Sequence, residues 1–175
     1  MFKSILVFGV IAGLIVGIPM SLSTVMSHNH SSYAMAIGYL TMLLGLSAVF
    51  IAIKRHRDIE LGGVIRFWPA FGMGLAISVI AGVIYVAAWD LTVAVTHMDF
   101  AGSYAKAMIA QQEAKGVTGA ALAKFTAQME RFKTQYANPL YRWPMTFAEI
   151  FPVGVLVSLI SAALLRNSRF LPARR

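Results

Sequence analysis

The chain has 175 residues, 58% of them hydrophobic and 13% charged, with a formal net charge of +8 and no cysteine. A soluble domain is about 45–50% apolar and about 25% charged because its surface must face water, so these proportions belong to a membrane protein. They exclude a disordered or collagenous chain, and the missing thiols exclude disulfides, thiolate metal sites and cysteine nucleophiles.

A bilayer core of about 30 Å takes about 20 apolar residues in a helix. Four runs reach that length, at about 4–26, 33–53, 69–95 and 144–165, and only the acids Asp90 and Glu149 interrupt them. The first follows Lys3 as a signal peptide would. Its apolar run is longer than the roughly 7–15 residues of an h-region and no Ala-x-Ala site follows, so a retained anchor is expected. Pro19 removes a hydrogen bond to the carbonyl of Ile15 and should kink its outer half. The second run ends in Lys54-Arg-His-Arg57, and Arg166, Arg169, Arg174 and Arg175 follow the fourth. Basic residues collect on the cytoplasmic side of membrane spans, so both termini are expected there, with the 27–32 loop and the 96–143 segment outside. Trp68, Trp89, Tyr141 and Trp143 fall near the expected interfaces, and Gly62-Gly63 reads as the turn between the second and third spans. No continuous basic face with interleaved aromatics is present, so nucleic acid is not an expected partner.

Helices in lipid associate through small residues that let backbones approach. Gly9, Gly13 and Gly17 repeat every four residues in the first span, Gly74, Ser78 and Gly82 in the third, and Gly154, Ser158 and Ala162 in the fourth. The second offers Ala34 with Gly38 and Thr41 with Gly45. Such rows serve either the packing of one four-helix bundle or a homodimer face.

Between residues 100 and 136 the composition turns to alanine, glutamine, lysine and glutamate, which favour helix and tolerate water. Gly116 breaks the stretch. Phe100, Tyr104 and Met108 line one arm; Leu122, Phe125, Met129, Phe132 and Tyr136 line the other, with Thr118 as its expected N-cap. Two amphipathic arms of this kind pack on each other, lie on the membrane face, or dock another protein.

Met98-Asp-Phe100, Gly116, Tyr136-Ala-Asn-Pro-Leu140, Thr146-Phe-Ala-Glu-Ile-Phe-Pro-Val-Gly154 and Leu164-Leu-Arg166 form a recognisable pattern, together with Gly38-Tyr-Leu-Thr-Met42, Lys54-Arg-His-Arg-Asp58 and Gly62-Gly-Val-Ile-Arg-Phe-Trp-Pro-Ala-Phe71. This pattern resembles the bacterial membrane-protein family known as domain of unknown function 4199, over nearly the whole chain. The resemblance implies a four-span inner-membrane protein with a helical insert between the third and fourth spans. It implies no activity.

Asp90 and Glu149 are both expected in the outer interfacial layer, where they could meet. Structural use is the first reading: Glu149 lies in the opening turns of a helix starting at Pro144, where an acid suits the helix dipole and can cap amides, with Arg142 as a partner. The second reading adds His28, His30 and His97, also expected outside, to make a nitrogen and oxygen ligand set suited to zinc or another divalent ion. No His-Glu-x-x-His spacing, Gly-x-Ser-x-Gly elbow or Walker loop accompanies it. The spans hold few midplane polar groups of the kind that mark a transport path, Thr41, Ser47, Ser78, Ser158 and Ser161 being the main hydroxyls.

The expectation is an all-α integral membrane protein forming a single membrane domain over 1–175. It is a four-transmembrane-helix bundle with an extracytoplasmic helical hairpin at 100–136, multi-pass in the bacterial inner membrane. It should be non-enzymatic and free of cofactors, contacting membrane lipid, a second copy of itself, or a membrane or envelope protein through its outer face. Two other classes stand beside it: an oligomeric carrier or channel using Asp90 and Glu149, and a metal-dependent envelope enzyme using the outer histidines.

Overall fold

Each apolar run becomes one long helix in the computed structural model, which describes residues 1–26 and 32–172. The described residues form six α-helices and no strand: α1 (Phe2–Met26), α2 (Ser32–Arg55), α3 (Phe67–Thr96), α4 (Phe100–Ala114), α5 (Gly119–Tyr136) and α6 (Pro139–Leu165). A π-helical turn over His56–Glu60 extends α2. Four stretches, Phe2–Ser23, Ala36–Glu60, Phe67–Thr96 and Pro139–Leu165, are long and apolar enough to cross a membrane. Their outward faces agree with that medium: Leu14 and Ile18 of α1 and Leu40 and Leu44 of α2 are each more than 40% exposed. In water such surface would be an adhesive patch, whereas acyl chains solvate it.

The chain divides into two compact units, residues 1–90 with 147–175, and residues 91–146. In the first, α3 is the most enclosed helix. Its buried positions Ala70, Met73, Ile77, Ser78, Ala81 and Tyr85 recur at three- and four-residue spacing, which keeps them on one side of a 3.6-residue helix. The glycines of α1 lie over α3 in parallel register. A Cβ added at Gly9 would come 2.7 Å from Cβ of Ile80, at Gly13 2.7 Å from Cβ of Ile84, and at Gly17 2.9 Å from Cβ of Ala88. Gly45 of α2 accommodates Val16 of α1 in the same way.

The α3–α6 contact is reciprocal and antiparallel. A Cβ at Gly74 would meet Ser158 Cβ at 2.8 Å, one at Gly154 would meet Ser78 Cβ at 2.6 Å, and one at Gly82 would strike the Phe147 ring. Ser78 Oγ donates to Gly74 O at 2.9 Å and Ser158 Oγ to Gly154 O at 2.7 Å. The two hydroxyls lie 3.4 Å apart, each with its single proton already turned back to its own helix. Leu46, Val49, Ile53, Ile77, Ile150 and Leu165 complete the buried core.

In the second unit, α4 and α5 run antiparallel and meet through tilted aromatic pairs. Phe100 meets Tyr136 at 5.6 Å between ring centroids, and Tyr104 meets Phe132 at 5.6 Å. Gly116, at φ +81°, turns the chain between them. Thr118 sits at the N-cap of α5 in an extended conformation without a side-chain capping bond.

Candidate functional site

The second unit holds a cleft of about 480 Å³. Three local devices build it. His97 ends α3 with φ +51°, its amide donating to Val93 O at 3.0 Å, so the chain leaves the helix through a left-handed residue that histidine tolerates better than most side chains do. Asp99 then opens α4 as its N-cap, Oδ1 accepting from Gly102 N at 2.8 Å, and only a glycine at 102 leaves room for that carboxylate. Asn138 opens α6, its Oδ1 accepting from Leu140 N at 3.0 Å, with Pro139 at the first helical position, where a missing amide proton costs nothing.

Asp99, Glu130, Lys133, Thr134, Tyr136 and Arg142 give the cleft its polar wall, and Val93, Met98 and Phe100 its apolar one. The Arg142 guanidinium stands over the Tyr136 ring at 5.8 Å, and its Nη1 donates to Tyr136 O at 3.4 Å, which fixes that cation in place. Two carboxylates and two cations thus share one cavity with formal charges that cancel.

The residues expected to carry chemistry are distributed otherwise. His28 and His30 lie outside the described residues. Asp90 is half-buried on α3, in the first unit. Glu149, also in the first unit, is exposed and accepts at 3.3 Å from the hydroxyl of Tyr85, itself only 2% exposed. The expected capping role of Glu149 does not hold, because α6 begins at Pro139 and not at Pro144, which leaves the carboxyl well past the free amides of the first turn. Among the described residues no group of three histidine or acidic side chains is placed to hold a metal ion. Ala162 is fully buried.

One residue missed in the sequence reading is Arg57, whose side chain is fully buried in the π-helical turn. Its Nε donates to Asp58 Oδ1 at 2.7 Å, Nη1 to Leu165 O at 3.3 Å and Phe170 O at 3.0 Å, and Nη2 to Leu171 O at 2.5 Å. The guanidinium thereby caps the C-terminal end of α6, where unpaired carbonyls attract a cation, and fastens the chain beyond it. Asp58 also takes Lys54 Nζ at 2.5 Å. His56 Nδ1 lies 3.1 Å from Glu60 Oε2 but outside hydrogen-bond geometry. The acid immediately after the basic run, Asp58, was the available signal that one of those cations is paired inside.

A family model described as protein of unknown function, DUF4199, matches residues 7–167. The chain belongs to this family. The matched stretch of this DUF4199 member takes in every residue of the cleft and, of the Arg57 cluster, Lys54, Arg57, Asp58 and Leu165, while Phe170 and Leu171 lie beyond it. Searches of the curated proteins and of the solved structures returned no match.

Proposed function

We propose that this DUF4199 protein is a non-enzymatic, multi-pass protein of the bacterial inner membrane that contacts a lipid or a membrane or envelope protein through its outer face. The observation that carries the reading is the charge-balanced cleft beside α4 and α5, in which two carboxylates and two cations are placed to hold a ligand. Orientation follows from Lys54, Arg55 and Arg57 at the end of α2 and Arg166 and Arg169 after α6, which favour the cytoplasmic side and leave α4 and α5 outside. A photoreactive amino acid at position 137, on the cleft wall, should give a discrete lipid or protein adduct in intact cells, and one at the exposed position 120 should not. No adduct at 137, or the same adducts at both positions, refutes the reading.

A second reading rests on Glu149. An exposed acid within a membrane-crossing helix, held by a buried tyrosine, is the kind of group an oligomeric ion or proton carrier uses. Reconstituted vesicles should then pass protons or ions in a Glu149-dependent way. Vesicles as tight as protein-free controls across pH remove it.

A further inference from the structure

We propose that the cleft of the second unit binds the headgroup of an aminophospholipid, phosphate on the side of Lys133 and Arg142 and primary ammonium on the side of Asp99 and Glu130. The inference rests on the reading of the outer face as a contact surface and names what that surface holds. A volume of about 480 Å³ falls within the roughly 300–1,000 Å³ of small-molecule sites. Its formal charge is zero, which favours a zwitterion over an anion: a headgroup with phosphate alone would answer the cations and leave two carboxylates facing it. Glu130 and Lys133, three residues apart on α5, take no ion-pair partner among the described residues, so both charges are available to a ligand. Arg142 adds a cation already oriented by Tyr136.

The apolar wall argues for a ligand with a tail. Val93 lies in the closing turns of α3 and Arg142 in the first turn of α6, both within stretches apolar enough to cross a membrane. Around them Leu91 is 64% exposed, Val95 70% and Leu140 74%. Tyr141 and Trp143 are also exposed, as amphipathic rings are at the level of headgroups. A primary ammonium is preferred to a trimethylated one because carboxylates accept its N–H bonds.

The test uses the full chain in mild detergent, titrated with dioleoyl phosphatidylethanolamine, phosphatidylcholine and phosphatidylglycerol and read by native mass spectrometry. Phosphatidylethanolamine should bind about tenfold more tightly than the other two, the worth of one charge-assisted hydrogen bond. Glu130→Gln should erase that preference, and Lys133→Gln should weaken all three lipids, while Lys124→Gln, on the same helix outside the cleft, should change nothing. Thermal melting equal to wild type in each variant separates lost binding from lost folding. Soluble phosphoethanolamine should compete poorly, since it lacks the acyl chains. Equal binding of the three lipids, a preference that survives Glu130→Gln, or phosphoethanolamine binding as tightly as the lipid would overturn the proposal. If the wild type lacks headgroup preference and the position-137 variant still crosslinks, the lipid assignment falls and the contact surface stands. Loss of both removes both.

Discussion

Replacing Arg57 with alanine should destabilise the protein by about 3 kcal/mol, toward the lower end of what breaking a buried charged pair costs. Four donated hydrogen bonds disappear together. They do not count equally. The carbonyls of Phe170 and Leu171 belong to a partly exposed segment where water can replace the guanidinium, so each contributes about 1 kcal/mol or less. The carbonyl of Leu165 belongs to a fully buried residue and would be left unpaired, at about 1–3 kcal/mol. Asp58 keeps Lys54 and so is only partly uncompensated. For a chain of this length a loss of 3 kcal/mol should lower the melting temperature by about 6–12 °C, measured by tryptophan fluorescence in detergent. Arg57→Met restores packing volume but not the carbonyl bonds and should recover part of the loss. Trypsin should cut after Arg166 and Arg169 faster in both variants, because the segment they lie in is no longer fastened. An Arg57→Ala protein that melts within about 2 °C of wild type, with unchanged cleavage, would refute this account of the clamp.

Three further outcomes are expected. Gly154→Ala should cost about 1–3 kcal/mol by overpacking against Ser78, and Ser78→Gly in the same chain should restore at least half of it; a double-mutant cycle without coupling would mean that the helices simply slide apart. Gly116→Ala has open space around its new methyl, so its cost of about 1–2 kcal/mol should come from the left-handed backbone alone and appear as lower helix content in circular dichroism. Because the chain has no cysteine, Lys124→Cys and Arg169→Cys each introduce a single thiol, and an impermeant maleimide should label the first in intact cells and the second only after lysis. Labelling of Arg169→Cys but not Lys124→Cys in intact cells would reverse the proposed orientation, and equal labelling would remove its support.

What could be read from the sequence was whatever a single helix decides alone. Four apolar runs became four long helices because length and hydropathy are local, and Gly116 broke the insert because its backbone angle is local too. Helix α6 opens at Pro139 and not at Pro144 because Asn138 supplies a capping oxygen and Pro139 fits the first helical position, a local signal that lies upstream of the apolar run. Arg57 was hidden for a different reason. It sits in a run that sets orientation by charge, and its burial depends on carbonyls more than a hundred positions away. The same holds for the cleft: Glu130 and Lys133 look like any solvated face of a helix until Asp99 and Arg142 are brought beside them. Rows of small residues mark where helices can approach, but nothing in the row of α1 says that α3 is the helix it meets.

The reciprocal seam between α3 and α6 also sets a timetable for biosynthesis. The glycine and serine side of α3 leaves the ribosome long before its counterpart, because 76 positions separate Ser78 from Gly154. At about 5–20 residues per second that interval lasts roughly 4–15 s, during which Gly74, Ser78 and Gly82 wait without their partners on α6. The first three helices can already pack, since the contacts of α1 with α3 need only residues made earlier. An unfinished protein is therefore a three-helix body with one open groove, and after α6 closes it only the segment that Arg57 fastens is still to be placed.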